Sequence, residues 1–273
     1  MGAKMFDDKT GPDGSFLSME HFDQLLSQVS SYVHTMLFYF QGEPLLHPLL
    51  SEMIAKAHKE GLYTIVSTNA QALTPLLAHR LAESGLSRII VSIDGMGETS
   101  YSAYRIGGSL HQALEGLAYL RHAKNELGAK MHIELQSLRL RTNEHEWKTM
   151  QRQYRAMGAD SLSIKSAQFY DYEHGNALMP TNERYSRYQR MKDGTYRLKH
   201  PHTHVCHRLW TGAVVTVTGE FLPCCMDKGS QYSYGNVWTE TVEQVYHSHK
   251  ADAFRQHLIA THFRHRLCKN CSI

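Results

Sequence analysis

The five cysteines of this 273-residue chain are confined to its C-terminal part. Cys268 and Cys271 form a C-x2-C pair, a spacing whose tight turn brings two thiolates to one metal centre. Cys206 and one of the adjacent Cys224 and Cys225 would complete a set of four. Thiolates are soft ligands, and four of them can bind either a zinc ion or a [4Fe–4S] cluster. The cysteines therefore predict a metal site of one of these kinds, with buried structural cysteines as the plain alternative.

A second set of candidate residues follows the apolar runs that are predicted to be strands. Glu43 and Asp94 can hold an amine or ribose hydroxyls, and Arg105 can clamp a carboxylate through two hydrogen bonds. At any one strand end, a small polar residue is often only the cap of the next helix. Ligands of parallel α/β folds bind where the strands end, so several such ends together predict a polar mouth for a small zwitterionic or ribose-bearing ligand. The ends read Gln41-Gly42-Glu43-Pro44, Ser67-Thr68-Asn69, Ser92-Ile93-Asp94-Gly95, Gln136-Ser137 and Lys165-Ser166.

A repeated helix–glycine–strand unit must position these residues. The glycines are Gly61, Gly85, Gly128 and Gly158, each between a helical apolar pattern and a short apolar run. Alternating helices and strands at this spacing predict an α/β fold with parallel strands and right-handed crossovers. A partial barrel and an open doubly wound sheet both fit, although no G-x-G-x-x-G follows a strand as in dinucleotide-binding sheets. The strands are predicted near 35–41, 63–67, 88–93, 131–137 and 161–165.

The repeat stops at about residue 170, and a different kind of sequence follows. Residues 171–204 lack sustained periodicity and are predicted to be a linker, whose tyrosines pack it onto the domain that it crosses. Residues 205–273 contain an alternating run that predicts a β-hairpin around Thr218-Gly219, followed by a helix. The predicted organisation is therefore a domain over 1–170, a linker over 171–204 and a small domain over 205–273.

Composition and charge exclude several classes of protein. The formal net charge is +3 and no long run of Lys or Arg is present, so we expect no nucleic-acid partner. No apolar stretch approaches the length of a membrane span, so we expect no membrane partner either. The N-terminus lacks the apolar segment of a signal peptide, and the odd number of cysteines argues against a disulfide framework. These features together predict a cytoplasmic protein.

The cysteine-containing region resembles the SPASM or twitch domain of radical S-adenosylmethionine (SAM) proteins. The resemblance runs through Cys206, Trp210, the Gly219-x4-Cys224 unit with its doubled cysteine, Asp227, Gly235-Asn236 and Cys268-x2-Cys271. A full SPASM domain has more cysteines and two auxiliary clusters, so this chain is similar to the shorter, single-cluster version. The resemblance implies one auxiliary [4Fe–4S] cluster with Cys206, Cys224, Cys268 and Cys271 as ligands. Cys225 is then not a ligand, although either member of the adjacent pair can bind the cluster.

The first part of the chain resembles the radical SAM barrel. Gln41-Gly42-Glu43-Pro44 is similar to the family's Gly-Gly-Glu-Pro motif, in which the region of the Glu holds the methionyl amine of SAM. The next two strand ends of the family border the cofactor, and Arg105 matches the residue expected to meet the methionyl carboxylate. The resemblance therefore implies a partial (β/α) TIM-like barrel with a small C-terminal α+β domain of SPASM or twitch type. The implied cofactor-binding residues are Gly42, Glu43, Ser67, Thr68, Asn69, Ser92, Asp94 and Arg105, and Lys165 is a site-facing residue without an assigned role.

One departure from the family pattern concerns the catalytic cluster. The family binds that cluster through C-x3-C-x2-C after the first barrel strand, and no cysteine precedes Cys206 here. The first strand is expected to be missing as well, which favours an N-terminal truncation over adaptive loss of the cysteines. SAM is then expected as a cofactor only together with the missing N-terminal cluster, because four thiolates leave no open iron on the auxiliary one. The chain as printed is expected not to cleave SAM.

The resemblance implies a radical SAM enzyme that generates a 5′-deoxyadenosyl radical when complete. Its substrate is a peptide or a small molecule, with peptide or protein modification and small-molecule oxidation both open. The cluster requires a reductant as a partner, and no catalytic residue is assigned. Two alternatives stay open: a non-catalytic relative or scaffold that retains one auxiliary metal site, and an unrelated zinc-binding α/β protein.

Overall fold

The computed structural model describes residues 16–201 and 206–271. Its largest feature is a sheet of five parallel strands, which are hydrogen-bonded to one another in chain order. The strands are β1 Thr35–Leu37, β2 Tyr63–Thr68, β3 Arg88–Ser92, β4 His132–Arg139 and β5 Ser161–Ser166. The predicted α/β fold with a parallel, partial-barrel sheet is confirmed.

Strand β1 is shorter than the sequence predicts. The strand is predicted to extend to about residue 41, but it ends at Leu37, after which the backbone N–H of Phe38 donates to the carbonyl of Ile65 at 2.8 Å. Gly42 has a φ of +75°, a left-handed conformation that favours glycine. Pro44 then begins a short 3-10 helix, so the chain leaves the sheet before the apolar run is over.

Helices alternate with the strands along the chain. The first six helices are α1 Met19–Val29, α2 Leu50–Lys59, α3 Pro75–Glu83, α4 Glu98–Ser102, α5 Leu110–Glu126 and α6 Trp147–Gln153. Residues of α2 to α6 pack into the core on one face of the sheet. Side-chain caps fix the starts of α1, α3 and α5; the hydroxyl of Ser18, for example, accepts the His21 N–H at 3.1 Å. The four glycines of the sequence repeat all have positive φ at or near the end of a helix, as the helix–glycine–strand reading predicts.

Alternation along the strands separates an apolar face from a polar one. Val66, Val91 and Leu135 are fully buried in a core that also contains residues of the surrounding helices. Ser67 and Ser92 occupy the intervening positions, which project to the opposite face. The strand register pairs Ser92 with Gln136, so small polar residues lie beside one another on that face.

The described chain divides into two compact units whose boundaries differ from the predicted domains. One unit comprises residues 33–196, and the other comprises 16–32 together with 197–271 where described. Most of the predicted linker therefore lies within the first unit. Its tyrosines are packed: Tyr172 stacks on Tyr188 with ring centroids 4.6 Å apart, and Tyr185 meets Trp147 edge-on at 4.9 Å. Two short strands, β6 Tyr188–Arg190 and β7 Tyr196–Leu198, pair in this region.

Helix α1 packs with C-terminal residues of the second unit. His21 stacks on Trp238 with ring centroids 4.3 Å apart, and the side chain of Gln28 accepts the Val242 N–H at 2.8 Å. Gln24 donates to the carbonyl of Val237 at 3.3 Å. Helix α1 thus forms hydrogen bonds with backbone groups of the second unit, of which it is a part.

The C-terminal part of the second unit contains the predicted hairpin and helix. Its elements are α7 Arg208–Thr211, β8 Val214–Val215, β9 Phe221–Leu222, α8 Val242–Tyr246 and α9 His249–Ala260. Strands β8 and β9 pair antiparallel, which confirms the hairpin, and α8 confirms the following helix. Helix α9 is an addition that the sequence patterns did not predict. In the part of the chain that the structure describes, no helix is long and apolar enough to cross a membrane.

Candidate functional site

Glu43 joins the end of β1 to the end of β2. One of its carboxylate oxygens accepts the hydroxyl of Thr68 at 2.6 Å and the Leu45 N–H at 3.1 Å, and the other accepts the Asn69 N–H at 2.9 Å. Burial raises the pKa of Glu43 above its ordinary value, although these hydrogen bonds and the charge of Arg105 each lower it. The carboxylate thus connects the ends of β1 and β2 and also supplies negative charge there.

Asp94 and Arg105 lie together at the end of β3. The Nε of Arg105 donates to Asp94 Oδ2 at 2.7 Å, and the backbone N–H of Leu138 donates to Oδ1 at 2.6 Å. Asp94 is 1% exposed and the Arg105 side chain 17%, so the pair is shielded from bulk water. Burial lowers the pKa of Arg105, but the adjacent Asp94 outweighs burial and holds that pKa above its ordinary value. Sequence reasoning expected two separate ligand-binding groups, whereas the structure pairs them with each other.

Asn143 fixes this strand end, and sequence reasoning did not select it as a site residue. Its side chain is fully buried and donates to the carbonyls of Asp94 at 3.0 Å and Leu138 at 2.9 Å. Its amide oxygen accepts the Leu140 N–H at 3.0 Å and the indole N–H of Trp147 at 2.9 Å. One buried amide therefore connects the ends of β3 and β4 to the start of α6. Its only signal in the sequence is the spacing of Asn143 to Glu146, which is the pattern of a helix capping box and does not indicate a binding site.

Gln71 holds the loop that carries Arg105. Its amide oxygen accepts the Ser109 N–H at 2.8 Å, and its amide nitrogen donates to the Ser109 carbonyl at 2.9 Å. The same nitrogen lies 3.2 Å from the hydroxyl of Tyr101. The loop between α4 and α5 is thus attached to the loop after β2, which brings Arg105 close enough to Glu43 to lower the pKa of its carboxyl.

The predicted mouth residues fall into two groups with different roles. Glu43, Thr68 and Asn69 form one hydrogen-bonded group, and Asp94 with Arg105 forms another beside it. A side chain at Gly42 would meet no atom within 4 Å, so glycine is needed there for its backbone conformation and not for space. The remaining positions, Ser67 and Ser92, lie on strands β2 and β3 on the face opposite the core. Lys165 is exposed and is in register with Leu138 on β4.

The cysteines come from three separate segments of the second unit. Cys206 lies just before α7, Cys224 and Cys225 follow β9, and Cys268 ends a 3-10 helix with Cys271 three residues later. The turn after β9 is closed by Asp227, which is 3% exposed and accepts the backbone N–H groups of Gln231 at 2.9 Å and Tyr232 at 2.8 Å.

Electrostatic coupling shows that these thiols are neighbours. Burial, together with the nearby Cys225, Cys268 and Cys271, raises the pKa of Cys224 to about 12, although a backbone hydrogen bond from Met226 lowers it. Burial also raises the pKa of Cys268 to about 11, with contributions from Cys271 and Cys206. Among residues 16–201 and 206–271, no three Cys, His, Asp or Glu side chains are gathered as a site that could hold a metal ion as they stand. Four half-buried or buried sulfurs within electrostatic reach still supply the donor set that an iron–sulfur cluster needs, and a cationic centre would stabilise the thiolates that burial disfavours.

The adjacent cysteines differ in their surroundings. Cys224 interacts with Cys268 and Cys271. The sulfur of Cys225 lies 3.9 Å from Nη1 of Arg208, and both sulfurs act on Lys228.

Comparison with known proteins gives two family matches. Residues 4–133 match the radical SAM superfamily, and residues 206–272 match the SPASM family, which is described as an iron–sulfur cluster-binding domain. The chain is 32% identical over 124 residues to the AdoMet-dependent heme synthase of Nitratidesulfovibrio vulgaris. It is 30% identical over 123 residues to the Fe-coproporphyrin III synthase of Methanosarcina barkeri. Each match covers 45% of this chain, but only 32% and 31% of the relative's length, so the chain matches about a third of these relatives.

The fold is also similar to solved structures. One of them, described as native anSMEcpe with bound AdoMet and the Kp18Cys peptide, has a TM-score of 0.61 and 16% sequence identity. The similarity covers 94% of this chain and 78% of that chain, so it extends over both compact units. At this level of identity the comparison shows a shared fold.

Proposed function

The chain belongs to the radical SAM superfamily and carries a SPASM iron–sulfur domain, and on this basis we propose that it is part of an enzyme that uses SAM to modify a peptide or a small molecule. The observation that carries the proposal is the pair of hydrogen-bonded groups at the carboxyl ends of β1, β2 and β3. Glu43 is braced beside Thr68 and Asn69, and the paired Asp94 and Arg105 lie next to it. In parallel α/β folds this edge is where ligands bind.

The residues present suit a zwitterionic nucleoside ligand. The carboxylate of Glu43 can attract an ammonium group. Its two oxygens accept three hydrogen bonds and can accept another one. Arg105 uses its Nε on Asp94, which leaves its terminal nitrogens to meet a carboxylate. When bound, SAM and its clusters supply the abstraction of a hydrogen atom from the substrate. The residues of this chain bind and orient the cofactor.

We assign Cys206, Cys224, Cys268 and Cys271 to one auxiliary [4Fe–4S] cluster. The SPASM match supports iron and sulfide over zinc. The effect of Cys268 and Cys271 on the pKa of Cys224 supports Cys224 as the fourth ligand. A cluster in this unit requires an electron donor or acceptor as a partner, which follows from its redox chemistry.

The substrate class follows from the comparisons alone. Two relatives are named as tetrapyrrole synthases, and one protein of similar fold was solved with a bound peptide. A peptide and a small molecule are therefore both within the proposal.

Binding of SAM tests the proposed function. The protein is purified without oxygen, reconstituted with iron and sulfide, and titrated with radiolabelled SAM in equilibrium dialysis. We expect Glu43→Gln to weaken SAM binding about tenfold, a loss typical of one charge-assisted hydrogen bond. Glu52→Gln, a change on the exposed face of α2, is the matched control and should bind as the wild type does. Equal affinities in all three proteins would count against the mouth as the SAM site.

A further inference from the structure

The segment that contains Tyr234 returns alongside β9, the strand that leads to the adjacent cysteines. The Tyr234 N–H donates to the carbonyl of Phe221 at 2.8 Å, and the Phe221 N–H donates to the carbonyl of Gly235 at 3.0 Å. Cys224 follows two residues after the end of β9, and Asp227 closes the loop between Cys224 and Tyr234. The loop that carries Cys224 therefore leaves β9 and returns to it at Tyr234.

The hydroxyl of Tyr234 is buried without a hydrogen-bond partner in the part of the chain that the structure describes. The residue is only 5% exposed, so bulk water does not reach the hydroxyl. Buried tyrosines usually find a partner for this group, because an unpaired hydroxyl destabilises the fold relative to phenylalanine at the same position. Tyrosine therefore suits this position only if an acceptor comes from outside the described side chains.

The ring of Tyr234 lies among the residues that surround the cysteines. It meets Phe254 edge-on, with ring centroids 5.9 Å apart. Phe254 packs against the same apolar cluster as Cys206 and Cys268. The thiol of Cys224 also acts electrostatically on the hydroxyl of Tyr234. Three of the four assigned cysteines thus belong to the surroundings of this hydroxyl.

Arg255 places a positive charge beside the phenol. Its guanidinium carbon lies 5.6 Å from the ring centroid of Tyr234, and its side chain is 8% exposed. Burial raises the pKa of Tyr234, Arg255 lowers it and Cys224 raises it, and the pKa stays above its ordinary value. The phenol is therefore protonated at neutral pH and has a hydrogen to donate. Nη2 of Arg255 is a second buried donor without a partner among the described residues, and two such donors favour a negatively charged acceptor.

We propose that Tyr234 donates its hydroxyl hydrogen to a sulfur of the auxiliary cluster beside Cys224 and thereby raises the reduction potential of that cluster. The inference rests on the proposed function, which assigns a cluster to these cysteines. Hydrogen bonds to the sulfurs are one of the ways in which a protein sets the potential of such a cluster. Reduction adds one negative charge, so a donor stabilises the reduced form more than the oxidised form. Tyr234 acts through the cluster and is not itself a ligand.

A redox titration of Tyr234→Phe tests the proposal. The proteins are reconstituted with iron and sulfide without oxygen and are reduced stepwise with dithionite, and electron paramagnetic resonance measures the reduced cluster. At a fixed potential, we expect the ratio of reduced to oxidised cluster to be about tenfold lower in Tyr234→Phe, the effect of one hydrogen bond to a charged group. For one electron, a tenfold change corresponds to a potential lower by about 59 mV.

Tyr246→Phe is the matched control. The ring centroid of Tyr246 lies 4.2 Å from the same guanidinium, but its hydroxyl donates to the carbonyl of Trp210 at 2.9 Å. That hydrogen is already engaged, so the control should titrate as the wild type does. A shift of equal size in Tyr246→Phe would overturn the proposal, because loss of any tyrosine hydroxyl near Arg255 would then suffice.

Two further measurements separate a hydrogen bond to the cluster from a purely structural role. Electron–nuclear double resonance of the reduced proteins in deuterated water should show an exchangeable deuteron that is present in the wild type and in Tyr246→Phe but missing from Tyr234→Phe. Without metal, Tyr234→Phe should unfold at the same temperature as the wild type or at a higher one, because its hydroxyl has no partner to lose. An unchanged potential, or an unchanged deuteron signal in Tyr234→Phe, would overturn the proposal.

A second variant decides the question if Tyr234→Phe does not retain the cluster. Replacement of Tyr234 by 3-fluorotyrosine keeps the ring and the hydroxyl but makes the phenol a stronger donor, so the potential should rise. A potential at or below that of the wild type would count against the hydrogen bond. A wild-type protein that binds zinc, or neither iron nor sulfide, would reject the proposed cluster and this inference together. A cluster with one and the same potential in all the proteins would reject this inference alone.

Discussion

The Nε of Arg105 donates to Oδ2 of Asp94 at 2.7 Å, on a carboxylate that is 1% exposed. The other oxygen of that carboxylate accepts the Leu138 N–H, so the ion pair also connects the ends of β3 and β4. A shielded pair of this kind contributes little over apolar residues, but loss of one partner leaves a buried charge. The mouth of the sheet therefore depends on both residues for its stability before any ligand binds.

Replacing Arg105 should destabilise the fold, and replacing Asp94 as well should restore part of the loss. We expect Arg105→Gln to lower the free energy of unfolding by about 3 kcal/mol, because Asp94 is left without its cation. In the double variant with Asp94→Asn, the total loss should be clearly smaller than the sum of the single losses. Urea denaturation of the four proteins measures this cycle, and additive losses would show that the two side chains do not depend on each other.

Asn143 is a positioning residue, and we expect it to contribute about as much to stability as Arg105 does. Asn143→Ala removes four hydrogen bonds from buried backbone and indole groups, so we expect about 3 kcal/mol of lost stability. Asn125→Ala, at an exposed position near the end of α5, should cost less than about 0.5 kcal/mol. Chemical denaturation checks both values. Similar losses at the two positions would argue against the role given to Asn143.

The cysteine assignment predicts which thiol is dispensable. Cys268→Ser should lose most of the bound iron and destabilise the second unit, because ligation energy is folding energy in small metal-binding units. Cys225→Ser should retain iron, since Cys225 is placed outside the ligand set. Iron and sulfide analysis of anaerobically reconstituted proteins provides the comparison. Loss of iron from Cys225→Ser with retention in Cys224→Ser would exchange the two assignments.

Asp160 predicts a pH dependence of stability. Its carboxylate accepts the Ile133 N–H at 2.8 Å and pairs with Lys124 at 2.7 Å and Arg121 at 2.6 Å. Burial raises its pKa, but these partners outweigh burial and leave the pKa of Asp160 below its ordinary value. A depressed pKa in the folded state stabilises the protein above the unfolded pKa, about 3.9, and that stability is lost as pH falls through the folded pKa.

The measurement compares Asp160→Asn with the wild type. We expect the substitution to cost about 2 kcal/mol at pH 7, and the difference in melting temperature should shrink as the pH is lowered below about 4. Asp171→Asn, at an exposed position, is the control and should be neutral throughout. A difference between Asp160→Asn and the wild type that stays constant with pH would contradict the argument.

The parallel sheet could be predicted because its signals are local. Apolar runs end at glycines with left-handed backbone, and each glycine falls where a helix gives way to a strand. Helix α9 was missed because its buried face contains Arg255, which is 6% exposed. That guanidinium donates to the Tyr246 carbonyl at 2.9 Å and lies 4.2 Å from the ring centroid of Tyr246. A buried arginine interrupts the apolar stripe from which helices are predicted.

The candidate site was predictable as a set of residues but not as a set of contacts. The sequence predicts Asp94 and Arg105 as two separate ligand-binding groups. No local pattern indicates that the loop after α4 brings Arg105 back to the end of β3. Asn143 and Glu146 have the spacing of a helix capping box, but α6 begins at Trp147 and Glu146 instead accepts the hydroxyl of Ser100 at 2.8 Å. Such pairings depend on tertiary structure, which periodicity does not encode.

The packing of α1 against the C-terminal residues has a consequence for the order of events during synthesis. Gln24 and Val237, which bond to each other, are 213 positions apart in the chain. At ribosomal rates of roughly 5–20 residues per second, α1 waits on the order of ten seconds or more before its partner emerges. The residues of the five-stranded sheet are all made within that interval, so this sheet can fold while α1 is still unpaired. Cys268 and Cys271 are made after the whole five-stranded sheet and after the other three cysteines, so a four-cysteine cluster in this unit can be loaded only once the sheet has been synthesised.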